Sequence, residues 1–348
     1  MSVRGRSAFR RVGEPNPRRG CLLVGLGDRS QRVLLPALAR CGIGVVDVVD
    51  TSPQRLDAFR AAQAAGWVAP EARFLPGLPA VAERYDFALV AVPHGAHERT
   101  TRHLTQLGCP VLKEKPYARD LSHARRLYRD AADLLHPLVD RPFLPVFRLL
   151  ARLLPRLGPA VRYRARYWRP SASYRQTWRN DPEMAGDGVI SDMGYHCLDL
   201  VLRLLGRPTL LTVTDIARRP GYLVDEQVRL GCVHRDGSRG TMEISRLAEV
   251  ADERYIFVGN GAVIRAGLSY LQMRLPGGAS RSWRFSYDPV SAASHTIGSA
   301  VADLASRRRA RWENRHGLRV MAAIADAYRT DAVGQLVRED EPGVSRNA

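Results

Sequence analysis

CLLVGLGDRS, residues 21–30, decides the fold of this 348-residue chain. A short apolar run leads into a turn that contains Gly25 and Gly27, and an amphipathic stretch follows from Ser30. Glycine in such a turn allows the backbone to approach a pyrophosphate closely, and the pyrophosphate then lies at the N-terminus of the helix. Ser30 stands where this fingerprint has Gly or Ala. The stretch therefore predicts a strand, a turn and a helix that bind a dinucleotide.

The residues up to about 133 repeat this alternation of apolar runs and helical stretches. Three further runs are typical of strands: GIGVVDVVD (42–50), FALVAVP (87–93) and CPVLKEK (109–115). Continuous runs of Val, Leu and Ala indicate strands that are covered by helices on both faces. The pattern predicts right-handed βαβ units around a parallel sheet.

The pattern changes after about residue 159. Polar and apolar residues now alternate, as in half-buried strands of a largely antiparallel sheet, in VRYRARYW (161–168), LLTVTDIA (210–217) and RGTMEISR (239–246). We expect helices at about 193–205, 291–305 and 314–329, and a solvated loop in the basic cluster at 306–315.

The predicted boundary between the two domains falls in the Pro-rich segment around residues 135–145. The chain then divides into a basic arm (1–19), a dinucleotide-binding domain (20–140), an α/β domain for substrate binding and oligomerisation (141–335) and a polar tail (336–348).

Composition narrows the class of protein. The formal net charge is +18, from 53 Lys and Arg against 35 Asp and Glu. The arginines are spread along the whole chain without a recognisable nucleic-acid-binding module, so we expect no nucleic-acid partner. No apolar run is long enough for a membrane span, and the basic N-terminus lacks the apolar segment of a secretory signal. Five scattered cysteines without metal-ligand spacing indicate reduced thiols and a cytoplasmic location.

Asp50 supports the dinucleotide site. It ends the second apolar run, 23 residues after Gly27. A carboxylate at this position accepts hydrogen bonds from ribose hydroxyls and repels a 2′-phosphate, which favours NAD. Arg55 nearby keeps NADP possible.

Lys113 and Lys115 are the two lysines of the chain, so every other cation among its 53 Lys and Arg residues is Arg. Lys115 falls at the carboxyl end of a predicted buried strand, the edge of a parallel sheet at which ligands bind. Arg keeps its proton at working pH, whereas the surroundings can tune a lysine ammonium. The choice of Lys indicates a functional ammonium at Lys115, with a salt-bridged surface lysine as the alternative. Lys113 is expected to point away from that neighbourhood.

Asp192, His196 and Asp199 are spaced four and three residues apart, so a helix would place them on one face. His titrates near neutrality, and a neighbouring carboxylate can fix its tautomer. These residues alone leave open an alternative in which Asp192 is a helix cap and His196 a buried packing residue. We predict no metal, because the segment offers too few ligands at suitable spacing.

The chain resembles the Gfo/Idh/MocA oxidoreductases, the family of glucose–fructose oxidoreductase and inositol 2-dehydrogenase, over roughly residues 20–330. The resemblance rests on five motifs: GLGDRS (25–30), VAVPHGAH (90–97), EKP (114–116), WRND (178–181) and DGVISDMGYHCLDL (187–200). It implies an α/β fold with an N-terminal Rossmann parallel sheet and a C-terminal α/β domain with a largely antiparallel open sheet. Such sheets often form oligomer interfaces, so we expect a homodimer or homotetramer.

The same resemblance implies roles for individual residues. The catalytic residues would be Lys115, Asp192 and His196, with Lys115 beside the nicotinamide. The cofactor site would comprise Gly25, Gly27, Ser30, Asp50, Pro93, His94, Glu114 and Lys115. Substrate contacts would come from Arg179 and Asp199. Arg141 is not expected among them, because VDRPF (139–143) departs from the Arg-rich stretch of the family.

These features predict an NAD-dependent dehydrogenase or reductase, with NADP possible, that acts on a secondary alcohol or ketone of a polyol, cyclitol or sugar. His196 would take the hydroxyl proton, Lys115 would stabilise the charge on the oxygen, and Asp192 would orient His196. The Arg-rich, Lys-poor composition suggests an actinobacterial source and antibiotic biosynthesis, in which aminocyclitol or deoxysugar units are made. Two alternatives remain: an NAD-dependent redox glycosidase and a non-catalytic dinucleotide-binding sensor.

Overall fold

The computed structural model describes residues 20–171, 173–186 and 188–339. The predicted basic arm and residues 340–348 of the predicted tail lie outside these ranges. Within them, no helix combines the length and the apolarity that crossing a membrane requires.

The first sheet has six parallel strands in the order β3-β2-β1-β4-β5-β6. The strands are β1 (Gly20–Val24), β2 (Val45–Val49), β3 (Arg73–Leu75), β4 (Tyr85–Val90), β5 (Val111–Glu114) and β6 (Leu135–Leu138). The order runs outward in both directions from the β1–β4 pair, so a crevice opens at the carboxyl ends of these two strands. The predicted Rossmann sheet is confirmed.

Four helices belong to this sheet: α1 (Leu35–Arg40), α2 (Leu56–Ala64), α3 (His97–Gln106) and α4 (Leu121–Ala131). The strands are apolar on both faces because helices cover both, and Leu22, Leu23 and Leu89 are fully buried. The sequence pattern missed two strands. β3 has only three residues, and β6 contains Pro137, which made its segment resemble a linker.

The second sheet has eight strands in the order β14-β13-β12-β11-β7-β10-β9-β8. The strands are β7 (Arg162–Trp168), β8 (Pro208–Ala217), β9 (Gln227–His234), β10 (Arg239–Ser245), β11 (Asp252–Gly259), β12 (Ala262–Gly267), β13 (Tyr270–Arg274) and β14 (Ser280–Arg284). Only β7 and β10 pair in parallel, and the remaining neighbours are antiparallel. The largely antiparallel sheet of the prediction is confirmed.

Five more α-helices lie in the described residues: α5 (Pro145–Leu153), α6 (Pro182–Ala185), α7 (Tyr195–Leu205), α8 (Pro289–Ala302) and α9 (Arg307–Glu339). The loop expected at 306–315 is wrong, because α9 begins at Arg307. Its Asn314 is fully buried and donates its side-chain amide to the carbonyl oxygens of Ala132 and Leu135. These bonds hold the basic cluster in a helix against the first domain.

Helix α8 returns to the first domain after the second sheet. Ala293 and Ile297 are buried in the same apolar core as the β1 residues Cys21 and Leu23, and Ser294 Oγ lies 3.3 Å from the carbonyl oxygen of Ala37. The division at residues 140 and 141 therefore stays a prediction, since a later segment of the chain completes the first domain's packing.

Candidate active site

The glycine turn follows β1 as the sequence indicated. Gly25 has φ +95°, and a Cβ there would lie 2.4 Å from the carbonyl oxygen of Ala91. The Ser30 hydroxyl donates a buried hydrogen bond to the carbonyl oxygen of Gly25. Ser30, which departs from the fingerprint, therefore stabilises the turn. Gly27 differs, because a Cβ there would enter open space. Gly25 is required by the fold, whereas Gly27 leaves room for a ligand.

Asp50 lies directly beyond β2 and contacts the same turn. Its Oδ2 accepts a hydrogen bond from the amide of Leu26 at 2.8 Å, and its Oδ1 accepts one from the amide of Ser52 at 2.9 Å. The carboxylate is thus held beside the glycine turn at the open end of the sheet. Together with the space at Gly27, this arrangement fits the ribose and pyrophosphate of a dinucleotide.

Pro93 and His94 lie in the loop between β4 and α3. Pro93 precedes a short helical turn, and His94 is almost fully buried within that turn. His94 Nδ1 lies 2.9 Å from the carbonyl oxygen of Ala185, and its ring packs edge-on against Trp178. Burial lowers the pKa of His94 to about 4, so the ring is neutral at neutral pH.

Lys115 and Asp192 are paired across the two domains. Lys115 Nζ donates to the backbone oxygen of Asp192 at 2.5 Å and to its carboxylate Oδ1 at 3.0 Å. Lys115 directly follows β5, and Asp192 lies in a π-helical segment, Ile190–Gly194, that leads into α7. Two residues that are 77 positions apart therefore meet above the carboxyl edge of the parallel sheet.

Two arginines share the Asp192 carboxylate with Lys115. Arg246, which follows β10 and is buried, donates to Asp192 Oδ2. Arg179 Nε lies 3.4 Å from the same oxygen, and its guanidinium lies over the Trp178 ring. Burial alone would raise the pKa of the Asp192 carboxyl, but the charges of Lys115 and Arg246 hold it well below its usual range.

His196 is paired with Asp140 and not with Asp192. His196 Nδ1 lies 3.4 Å from Asp140 Oδ1, and the imidazole stacks on the Tyr167 ring. Burial and the charge of Arg141 lower the pKa of His196, whereas Asp140 raises it. The expectation that Asp192 orients His196 is therefore wrong. The physical reason for the different pairing is that the segment before α7 is π-helical. Its turn is wider than that of the α-helix on which the prediction was based.

Arg141 lies behind this pair. Its guanidinium is buried, donates to Asp140 at 2.7 Å and to Glu253 at 2.7 Å, and lies near the Tyr167 ring. With all these partners inside the protein, Arg141 supports Asp140 and does not present its charge to a ligand.

Asp199 occupies a different part of the molecule from the other two helix residues. It is buried, accepts from Arg203 Nε at 2.9 Å and lies 3.0 Å from Nε2 of His316 on α9. The prediction that one helix places all three residues on one face is wrong for Asp192, which precedes α7 in the π-helical segment. His196 and Asp199 are three residues apart on α7 but have different partners, and the contacts of Asp199 join α7 to α9.

A narrow pocket lies between the segment after the glycine turn and α7. His196 and Asp140 line one side, and Arg29 and Glu114 line another. Arg29 Nε donates to Glu114 Oε1 at 2.9 Å. Arg29 precedes a π-helical segment, Ser30–Leu34, that leads into α1, so Glu114 joins the start of that segment to the loop of Lys115. Residues of α8, including Thr296, complete the wall.

The sequence reasoning missed Asp140 and Arg246. Asp140 had one usable signal, since it lies just beyond a strand at the carboxyl edge of the sheet, but that strand was not recognised. Arg246 had none, because its residue type is common throughout the chain and its partner is 54 positions away.

Two family models match the chain. The oxidoreductase family model with an NAD-binding Rossmann fold matches residues 19–136, and the GFO/IDH/MocA C-terminal domain matches residues 155–265. The two matches correspond to the two sheets of the fold.

Among curated proteins, the chain is similar to a putative UDP-kanosamine synthase oxidoreductase subunit from Amycolatopsis mediterranei, with 30% identity over 204 residues that cover 56% of this chain and 54% of the relative. It is also similar to the scyllo-inositol 2-dehydrogenase (NADP(+)) of Bacillus subtilis, with 26% identity over 139 residues that cover 37% and 42% of the two chains. The matched region thus spans about half the length of these relatives.

Among solved structures, levoglucosan dehydrogenase in complex with NADH and levoglucosan superimposes with a TM-score of 0.79. The alignment covers 90% of this chain and 98% of that one at 15% sequence identity. This likeness establishes the fold alone.

Proposed function

Because the chain belongs to the Gfo/Idh/MocA family of oxidoreductases, we propose that it transfers a hydride between NAD(P) and a secondary alcohol or ketone of a sugar or cyclitol. The observation that carries the proposal is that two pairs, Lys115 with Asp192 and His196 with Asp140, lie at the carboxyl edge of the Rossmann sheet, near enough for the charge of Lys115 to lower the pKa of His196. An ammonium that holds a buried carboxylate, beside a histidine with its own carboxylate, supplies the groups that alcohol oxidation needs.

The substrate class is supported by the relatives. One is named for a UDP-sugar synthase and another for scyllo-inositol oxidation, and a structural neighbour was solved with levoglucosan. All three names concern polyhydroxylated rings. A role in antibiotic biosynthesis is part of the proposal and rests on the Arg-rich, Lys-poor composition.

The cofactor would be held by the glycine turn, Asp50 and the loops that carry His94 and Glu114. When bound, it supplies the acceptor or donor of the hydride. NAD is proposed over NADP because the Asp50 carboxylate is fixed beside the turn by two backbone amides and would repel a 2′-phosphate.

The proton steps belong to the chain's own residues. His196 takes the proton of the substrate hydroxyl during oxidation and returns it during reduction. Asp140 faces Nδ1 of that ring, which leaves Nε2 as the base. Lys115 donates a hydrogen bond to the substrate oxygen and stabilises its developing negative charge. Asp192 holds Lys115 in place, and Arg179, which is half-exposed at the same carboxylate, contacts the substrate.

The test is a panel of inositols, aminocyclitols, sugars and nucleotide sugars, assayed through nicotinamide absorbance in both directions with NAD and NADP. Lys115→Arg keeps the positive charge but alters its reach, and Lys115→Met removes it. We expect both variants to lose on the order of 10²-fold or more in kcat, the effect of removing one oxyanion donor. Binding of NADH, followed by its fluorescence, should persist in the Arg variant.

The assay also separates the alternatives. A redox glycosidase would release a sugar from a glycoside without net NADH formation. A sensor would bind NADH tightly without turnover of any compound in the panel. Full activity of Lys115→Arg would contradict the proposed role of Lys115.

The assembly and location are proposals of the same kind. We propose a cytoplasmic homodimer or homotetramer, supported by the open sheet of the second domain, whose exposed residues include Leu210 and Val258, and by five free cysteines. Light scattering of the purified protein tests the assembly, and a monomer at micromolar concentration would contradict it.

A further inference from the structure

Lys113 is fully buried beneath the loop that carries Lys115. Its Nζ donates to the backbone oxygens of Pro116 at 2.6 Å and Glu114 at 3.0 Å, and lies 3.2 Å from His97 Nδ1. The two carbonyl groups flank Lys115 on either side. The expectation that Lys113 points away from this neighbourhood is wrong.

The three contacts of Lys113 match the three N–H groups of an ammonium. None of these partners is a carboxylate, so the side chain is held by carbonyl oxygens and an imidazole nitrogen. An ammonium in such a position is costly to bury. Burial lowers the pKa of Lys113 to about 7. A methionine or leucine would fill this site without that cost, which argues that the donors themselves are used.

His97 continues the network to a second loop. Its Nε2 lies 2.9 Å from the backbone oxygen of Val92, in the loop after β4 that also carries His94. Burial and the charge of Lys113 hold the pKa of His97 well below its ordinary value, so the ring is neutral. His97 Nδ1 lies 3.2 Å from both Lys113 Nζ and the backbone oxygen of Pro116. A neutral ring that donates from Nε2 to Val92 can accept from Lys113 at Nδ1.

We propose that Lys113 and His97 form a positioning pair that fixes the loop of Lys115 against the loop after β4 and thereby aims the Lys115 ammonium at Asp192. Neither residue touches substrate. The pair acts through Lys115, so its catalytic consequence rests on the proposed function, whereas its effect on the position of Lys115 does not. Both lysines of the chain are then explained, one as the donor and the other as its support.

Because the chain has two lysines, their side-chain signals can be observed separately by NMR. Protein labelled with ¹⁵N and ¹³C in lysine alone gives two side-chain signals, which Lys115→Arg assigns. In Lys113→Met, an apolar side chain of similar length, we expect the Lys115 signal to move toward that of a solvated lysine. We also expect kcat to fall about 10²-fold, the loss that a 1 Å misplacement produces, with a smaller change in KM. Val111→Ala, a buried substitution in the same strand, is the control for lost stability and should leave the Lys115 signal unchanged.

A second pair of variants keeps the test valid if Lys113→Met does not fold. His97→Gln can still donate to Val92 and accept from Lys113, whereas His97→Leu can do neither. We expect His97→Gln to retain the wild-type Lys115 signal and His97→Leu to lose it. Lys115 signals that match the wild type in both Lys113→Met and His97→Leu would overturn the proposal. Full turnover by Lys115→Arg would instead contradict the proposed function, while the NMR comparison would still decide the positioning pair.

Discussion

The carboxylate of Asp140 lies 3.4 Å from Nδ1 of His196, and Arg141 Nη1 donates to both oxygens of that carboxylate at 2.7 Å. Asp140 follows β6 of the first domain, and His196 lies on α7 of the second. The candidate base is therefore oriented by the opposite domain, in the same way that Asp192 and Lys115 are paired across the crevice.

Replacing Asp140 with Asn tests this relationship. The amide keeps the shape of the side chain but no longer stabilises a protonated imidazole. We expect kcat to fall on the order of 10²-fold. Because Asp140 raises the pKa of His196, its loss lowers that pKa further. The acidic limb of the oxidation rate should then move to lower pH, since His196 acts as a base when neutral. A pH–rate profile measures both effects.

Asp199→Asn is the matched control for Asp140→Asn. Asp199 is also a buried carboxylate, on the same helix as His196, and it contacts a different histidine, His316. We expect its substitution to lower the free energy of unfolding without moving the acidic limb. An identical shift of the limb in both variants would exclude the specific pairing of Asp140 with His196.

The strand, turn and helix around Gly25 could be predicted because all their determinants are local: an apolar run, two glycines and an amphipathic stretch. The location of Lys115 at the carboxyl end of a strand could be predicted from the apolar run before it, whereas its catalytic role stays a prediction. The partners of these residues could not be predicted. Asp192 meets Arg246 across 54 positions and Arg141 meets Glu253 across 112, and such contacts are set by the packing of two sheets.

The helical segment shows a second kind of limit. The spacing of Asp192, His196 and Asp199 predicts that they share one helix face only if the whole segment has 3.6 residues per turn. Residues Ile190–Gly194 instead form a π-helical turn, so Asp192 does not continue the face of α7 that carries His196 and Asp199. Residue identity indicated candidate acid–base groups in the segment, but the local backbone geometry and the packing of other elements decide which partners each side chain contacts.

Substitutions of the two glycines in the turn should have different effects, one on stability and the other on cofactor binding. Gly25→Ala places a side chain at φ +95° and 2.4 Å from a carbonyl oxygen, so we expect it to lose at least about 1–3 kcal/mol of unfolding free energy. Gly27→Ala meets open space and should fold like the wild type, yet weaken NADH binding by about tenfold, or roughly 1.4 kcal/mol. Chemical denaturation and NADH fluorescence titration measure the two effects. Unchanged NADH affinity in Gly27→Ala would place the cofactor elsewhere.

Asp50 should set the preference between the two nicotinamide cofactors. Its carboxylate is fixed by the amides of Leu26 and Ser52, and its charge opposes a 2′-phosphate. We expect Asp50→Asn to raise the affinity for NADPH relative to NADH by about tenfold. Asp57→Asn is the control. Asp57 is exposed on α2, and its substitution changes the net charge by the same amount as Asp50→Asn. An equal ratio in the two variants would show that the preference arises from overall charge.

Asp225 should make the stability of the protein depend on pH. It is partly buried near the segment that leads into α7, and its carboxylate accepts hydrogen bonds from Tyr328 and from the amide of Val189 at 3.3 Å. Burial raises the pKa of Asp225 from 3.8 to about 6. Between these values the unfolded chain is ionised at this residue and the folded protein is not, so stability falls as pH rises. Above about pH 6, the ionised Asp225 lowers the free energy of unfolding by its full amount, roughly 3 kcal/mol for a pKa shift of this size.

Asp225→Asn removes this titration, and the difference in unfolding free energy between variant and wild type should therefore grow in favour of the variant from pH 4 to 7. Tyr328→Phe tests the same titration by changing the pKa of Asp225 without removing the carboxyl group. The hydrogen bond from Tyr328 lowers the pKa of Asp225, so its removal should raise that pKa and move the loss of stability to higher pH. Urea denaturation of all three proteins across this range measures the slopes. Parallel slopes for Asp225→Asn and the wild type would mean that Asp225 is ionised in the folded protein at low pH and that burial does not control its titration.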